Sequence, residues 1–221
     1  ADPTEAHSYP EIPVVMNSDN PNFTNVDRVV TDHAKGASDI VEWLASRGHR
    51  NIAALNTLEH NLDWWDRRIK GAQAAAKLSG LAPIKHIRCG ATKHLPGTSD
   101  AREVFEQGAR QIVGFLIDLF KGDSPIDAIL SVNDSDAIQI AAACRLLGKE
   151  PGRDVWIAGF DNIWRICPEF SFESTPPCVT IDRDNPAIGS ALAKVLIERI
   201  KNSETSAPGK RVVIPHRLIE I

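Results

Sequence analysis

The feature that most constrains this 221-residue chain is a repeated alternation. A short apolar run rich in β-branched residues is followed by a polar turn and then a longer amphipathic stretch. Strands are expected at 12–15, 28–31, 51–55 and 84–88, then at 128–132, 155–158 and 178–181, with two closing strands at 211–214 and 217–219. Helices are expected over 33–47, 66–78, from Thr98, Ser99 or Asp100 to Phe120, and over 135–147 and 185–200. In the first helix Ile40, Val41, Trp43 and Leu44 fall on one side, and Gly48 closes it. Strands alternating with helices imply parallel βαβ units with helices on both faces of the sheet. The fold class is therefore α/β, with doubly wound parallel sheets. One stretch, 161–177, breaks the rhythm: it is long, irregular and carries Trp164, Phe170 and Phe172. Loops of that length are uncommon unless functional.

Charge narrows the partners. Lys and Arg number 25 against 29 Asp and Glu, for a net −4. Domains that grip phosphate backbones usually carry a basic excess, so direct nucleic-acid binding by these residues is disfavoured. No apolar stretch approaches the roughly 18 residues of a membrane span. The opening ADPTEAHSYPE has neither a basic start nor an apolar run, so it is not a secretory signal, although an exported chain with its signal removed stays possible. The cysteines, Cys89, Cys144, Cys167 and Cys178, are far apart and form no CxxC pair. A chain of this size needs no staples, so reduced thiols in a cytoplasmic protein are expected. His86, Cys89 and His94 make a loose cluster without a fourth ligand at suitable spacing, and no metal is expected.

In open α/β sheets ligands sit beyond the C-terminal ends of the strands. Asn133 and Asp134 come after the ILSV strand, Asp161 after VWIAGF, Arg183 lies in the DRD behind VTI, and Asp19 lies just after PVVMN. The competing reading is helix capping, since Asp and Asn at such junctions satisfy orphan N–H groups. Asp134 fits capping best, because a helix starts directly behind it. Asp161 fits ligand contact better, because the stretch behind it lacks helical periodicity. Trp64-Trp65 and Arg67-Arg68 open the helix after the NIAAL strand. An indole face stacks on a sugar or base, and a guanidinium offers a bidentate fork to hydroxyls or carboxylates. Two adjacent Trp cannot both face inward on a helix, so one should face the crevice. His33 and His49 flank a helix and read as capping or surface residues. No nucleophile elbow, HExxH, phosphate loop or dinucleotide fingerprint is present. The pattern describes a binder of polar small molecules without a cofactor rather than an enzyme.

Several stretches together resemble regulators of the lactose-repressor/galactose-repressor (LacI) type. Val30-Thr31-Asp32, the helix behind it and Ser46–Ala53 (SRGHRNIA) are similar to one signature, and Arg68-Ile69-Lys70-Gly71 to an R-x-x-G. Asp127–Asp134 (DAILSVND) with Ala137, then Gly159-Phe160-Asp161-Asn162, then Pro176–Ile181 and Ile214–Ile219 come in the family's order. The resemblance implies a periplasmic-binding-protein-like fold of two α/β lobes joined by three crossovers, near Asp32, 183–185 and 213–216, with the effector in the cleft. It implies an N-terminal lobe made of 1–31 and 184–212, incomplete because the family's first βα units have no counterpart, and a C-terminal lobe of 32–183 and 213–221. By position, Arg68, Asn133 and Asp161 match the family's polar effector contacts. Trp64 and Arg183 match pocket-lining positions, and Asp19 lies near another. Asn185 stands where an aromatic is common. The 161–177 loop is longer than the family norm and long enough to drape over the cleft. The function implied is sensing of a small effector, a sugar or sugar acid, by a homodimeric cytoplasmic regulator. Its operator DNA would be contacted through a helix-turn-helix that this sequence lacks. The alternative is a solute-binding protein serving an ABC transporter.

Overall fold

A computed structural model of the chain describes residues 12–20, 22–23, 25–58, 62–90, 100–202 and 209–221. Thr98, Ser99 and His94 therefore lie outside the described residues. The chain divides into two compact units, 1–32 with 183–217, and 33–182 with 218–221.

The larger unit is built on a six-stranded sheet. Its strands are β3 (Ile52–Asn56), β4 (Lys85–Arg88), β5 (Ala128–Leu130), β6 (Trp156–Ala158), β7 (Val179–Asp182) and β9 (Arg217–Glu220). They lie in the order β4-β3-β5-β6-β7-β9, and the pairs from β4 through β7 are parallel. The period-two alternation of a strand decides which layer each residue joins. Ile52 and Ala54 of β3 pack with α1 (His33–Ser46) and α2 (Asp63–Leu78). Ala53 and Leu55 point the other way, into a second core with α3 (Ala101–Leu116) and α4 (Asp134–Leu146). Helices thus cover both faces, as the βαβ rhythm requires.

The smaller unit holds a three-stranded parallel sheet in the order β1-β2-β8, formed by Val15–Met16, Asp27–Thr31 and Arg211–Ile214. Helix α5 (Asn185–Asn202) packs Ile188 and Val195 on Val29 of the central strand. One tie joins β2, α5 and the residue that precedes β8. Asp27, 3% exposed, accepts two hydrogen bonds from Arg199 of α5, at 2.8 and 2.6 Å, and one from the backbone N–H of Lys210 at 2.7 Å. Burial alone would raise its pKa. The Arg199 and Lys210 contacts outweigh burial and hold the carboxyl below its usual value.

Several expected boundaries shift. The first strand begins at Val15 rather than residue 12, because only Val15 and Met16 find partners on β2. Asp100 caps α3 by accepting from the N–H groups of Arg102 and Glu103. The α-helix ends at Leu116 and continues to Phe120 only as a 3-10 turn. Residues 213–217 belong with the smaller unit, not the larger one, because Val213 and Ile214 pair with Val30 and Thr31. The 161–177 segment contains two 3-10 turns, Trp164–Ile166 and Pro168–Ser171. Its aromatics do not hang free, as a draping loop would. Trp164 joins Phe105 of α3 and Ile138 of α4 in a core of their own, with Phe170 and Phe172 packed against it.

Candidate functional site

Trp64, Arg68, Asn133 and Asp161 belong to the larger unit, on segments behind the C-terminal ends of β3, β5 and β6. Arg68 is the centre. It is 2% exposed, and its guanidinium carbon lies 3.4 Å from the ring centroid of Phe160 and 4.5 Å from that of Trp64. A planar, weakly hydrated cation between two aromatic faces suits arginine and not lysine. Nε donates to Nδ1 of His33 at 3.3 Å, and Nη1 donates to the Val132 carbonyl oxygen. Of the guanidinium that the sequence offered as a bidentate fork, Nε and Nη1 are therefore committed to the fold.

His33 is not a surface cap. It is 9% exposed, and its ring lies 5.8 Å from Trp64 and 6.0 Å from Phe160. Its Nδ1 is the acceptor for the Arg68 guanidinium, so the imidazole is tied to the same cluster. The tryptophan pair divides as helical geometry demands. Trp65 is fully buried and donates from Nε1 to Nε2 of His86 at 3.0 Å, while Trp64 is half-buried.

Asn133 serves two readings at once. It is the N-cap of α4, its Oδ1 accepting from the N–H of Asp136 at 2.8 Å. Among the described residues nothing accepts from its Nδ2, and the residue is half-buried, so a donor is still on offer. Asp134, expected to be the cap, is instead the first helical residue and fully buried. Its Oδ2 accepts from the N–H groups of Ile163 at 2.6 Å and Trp164 at 3.1 Å, and its Oδ1 from the Thr180 hydroxyl at 2.6 Å. Burial pushes its pKa up to about 6; the Thr180, Ile163 and Trp164 hydrogen bonds oppose that rise, and the Asp161 charge adds to it.

Asp161 opens the turn that Asp134 holds. Its N–H donates to the Ile181 carbonyl at 2.8 Å, and its backbone has φ +95°, with φ +54° next at Asn162. Left-handed backbone at a non-glycine aspartate is strained, and such strain clusters at ligand sites.

Arg183 and Asp19 belong to the smaller unit. Arg183 donates from Nε to the Thr31 hydroxyl at 3.5 Å. Asp19 forms an ion pair with Arg211 at 3.2 Å, leaving its side chain 7% exposed. Of the loose histidine–cysteine cluster, His86 is taken by Trp65, and the Cys89 thiol donates to the Asn56 carbonyl at 3.3 Å. His49, the other expected surface histidine, makes a tilted ring contact with Trp156 at 4.6 Å beside Asp127. Burial lowers its pKa against the opposing pull of that carboxylate.

Sequence reasoning missed His33, Phe160, Thr180 and the role of Asp134. His33 and Phe160 both sit at strand ends, so the rule that flagged Asp161 could have flagged them too. What was absent was a reason to see a histidine or a phenylalanine as a partner for arginine. Chemically the cluster offers aromatic faces, one held cation, an amide donor and a carboxylate, groups of the kind that suit a polyhydroxylated ligand.

Residues 41–220 match the periplasmic binding protein-like domain. The HTH-type transcriptional regulator DegA of Bacillus subtilis (strain 168) is 29% identical over 219 residues, covering 95% of this chain and 55% of its own length. The chain thus spans about half the length of the curated relatives it matches. A regulatory protein of the LacI family from Chloroflexus aggregans superposes with a TM-score of 0.73 at 25% identity, over 98% of this chain and 70% of that one. A LacI family transcriptional regulator from Enterococcus faecium, with bound ribose, gives 0.68 at 23%, over 94% and 67%. The chain belongs to the periplasmic binding protein-like domain family and, within it, is similar to the effector-binding core of LacI-type regulators.

Proposed function

We propose that this chain is the effector-binding core of a LacI-type transcription regulator and that its effector is a sugar or sugar acid. The observation that carries the reading is the meeting of Arg68, Trp64 and Phe160 in one stack beside Asp161, at the strand ends where open α/β sheets take ligands. In this reading Trp64 presents a face to the sugar ring, Asn133 donates from Nδ2, and Asp161 accepts from hydroxyls. The ribose bound to the Enterococcus faecium regulator supports a pentose or a related sugar. Homodimerisation, a cytoplasmic setting and the absence of catalysis belong to the same proposal. Contact with operator DNA is there a property of the whole regulator, in keeping with the −4 charge of these residues. The relatives are transcription regulators, so a transporter's solute-binding protein is the weaker reading.

The test is a thermal-shift screen of D-ribose, other sugars, sugar acids and purines, with calorimetry on any ligand found. A ligand at a hundred times its Kd should add about 2.7 kcal/mol, raising Tm by roughly 5–10 °C for a chain of this size. Asp161→Ala should cost at least about tenfold in affinity with folding unaffected, the loss of a hydrogen bond to an ionised group. Unchanged calorimetric binding in that variant would remove Asp161 from the site. A screen in which only purines shift Tm would overturn the sugar assignment.

A further inference from the structure

We propose that Asp134 is a positioning residue of the effector site: its buried carboxylate sets the turn from Asp161 to Trp164 and thereby aims the Asp161 side chain. The aim at an effector rests on the proposed function; the hold on the turn does not.

The geometry is specific. Two consecutive N–H groups, of Ile163 and Trp164, converge on Oδ2, and the Thr180 hydroxyl from β7 reaches Oδ1. The Asn162 N–H also donates to that hydroxyl, at 3.3 Å, so one oxygen network spans α4, β7 and the turn. Gly159 is part of it. A Cβ there would overlap Oδ1 of Asp134, so the strand end stays bare to let the carboxylate approach. The segment so held is the one with φ +95° at Asp161 and φ +54° at Asn162. A strained turn persists only where its surroundings over-determine it, and these hydrogen bonds are what determine it.

The charged and titratable neighbours are carboxylates, a thiol and a guanidinium. Asp161 faces Asp134 from the turn and raises its pKa. Cys167 is the neighbouring thiol, pushed up to about 12 by burial and by the carboxylates of Glu169 on the 3-10 segment, Asp134 and Asp136 on α4, and Asp161. Arg165 lies 4.0 Å over the Trp164 ring. Among the described residues no cation hydrogen-bonds Asp134. The carboxylate therefore takes up a proton as pH falls through about 6, and the hydrogen bonds to Oδ2 lose their charge assistance.

The experiment is nitrogen-15 NMR of the 221-residue chain, tracking the Ile163 and Trp164 amides from pH 8 to pH 5. In the wild type both should titrate together with a midpoint near 6. Asp134→Asn should abolish that titration and speed exchange of both amides roughly tenfold, as loss of a charge-assisted hydrogen bond does. Thr180→Val keeps the carboxylate and removes a hydrogen bond that lowers its pKa, so the midpoint should move up. Asp161→Ala removes a neighbouring charge, so the midpoint should move down with both amides still protected. Should Asp134→Asn not fold, these last two variants carry the test. Unchanged protection in Asp134→Asn, or a midpoint unmoved in both other variants, overturns the proposal.

Calorimetry with D-ribose then reads the aim. Asp134→Asn should weaken binding at least about tenfold, and an affinity equal to wild type also overturns the positioning role. No heat with wild-type protein counts against ribose alone, and the amides still decide whether Asp134 holds the turn.

Discussion

Arg68 does two things that pull in different directions. It supplies a cation to the proposed site, yet two of its nitrogens already hold the fold, through His33 and the Val132 carbonyl. Arg68→Ala should therefore cost about 3 kcal/mol in urea unfolding, since it strands two buried acceptors and empties the slot between Trp64 and Phe160. Arg68→Lys should recover little of that, because an ammonium cannot stack between two rings. A loss below about 1 kcal/mol in the alanine variant would show that the site is not structural. Asp161 behaves in the opposite way. With φ +95° it occupies backbone that glycine adopts freely, so Asp161→Gly should add about 1 kcal/mol of stability while effector affinity falls. Denaturant midpoints paired with calorimetry check both signs. Both residues were readable from the sequence, from a junction rule and a motif. His33 was not. It lies 35 residues from Arg68, and their contact exists only because α1 and α2 pack side by side.

At the scale of elements, the helix pairs and strand ties explain residues that a motif merely displays. Gly71 closes the R-x-x-G stretch on α2. A Cβ there would overlap the carbonyl oxygen of Ala34, so this glycine is the point where α1 and α2 come into backbone contact. Gly71→Ala should force the helices apart at a cost of about 1–3 kcal/mol, seen as a lowered thermal midpoint; no change would mean that the helices slide freely. The Asp27 tie makes a different prediction. Its folded pKa is lowered, so the stability it contributes is present above its unfolded value near 4. That stability is lost as pH falls through the lower folded value. Asp27→Ala should cost about 1–3 kcal/mol at neutral pH, because it removes a buried carboxylate that accepts two hydrogen bonds from Arg199 and one from the Lys210 N–H. A Tm profile of that variant should be flatter than wild type below pH 4, and parallel profiles would count against the tie. Strand periodicity was legible to within a residue or two, except at the first strand, which begins three residues later than expected. The 161–177 segment was legible as irregular and aromatic, but not as a third small core, because its partners Phe105 and Ile138 come from two distant helices.

At the scale of the molecule, each unit carries its own core. In the smaller unit Val29, Ile188 and Val195 form one small buried cluster, whereas the larger unit has two extensive clusters on the faces of its sheet. Local stability tracks buried apolar contact, so native-state hydrogen exchange should find the β2 amides opening at lower free energy than those of β5. Equal protection would mean that the two units open as one. The sequence by itself determined the α/β class, the order of the elements and the family. Those rest on local periodicity, on turn chemistry and on motifs whose parts are close in the chain. It also placed Asn133 and Asp161 at strand ends. Only the tertiary structure decided what each of these does. Asn133 caps a helix with its oxygen and keeps its nitrogen, Asp134 holds a strained turn, and Arg68 is shared between site and fold. The roles of Asp134 and Arg68 are set by hydrogen bonds across 29, 46 and 64 residues of chain, for which a position along the sequence carries no information about the partner.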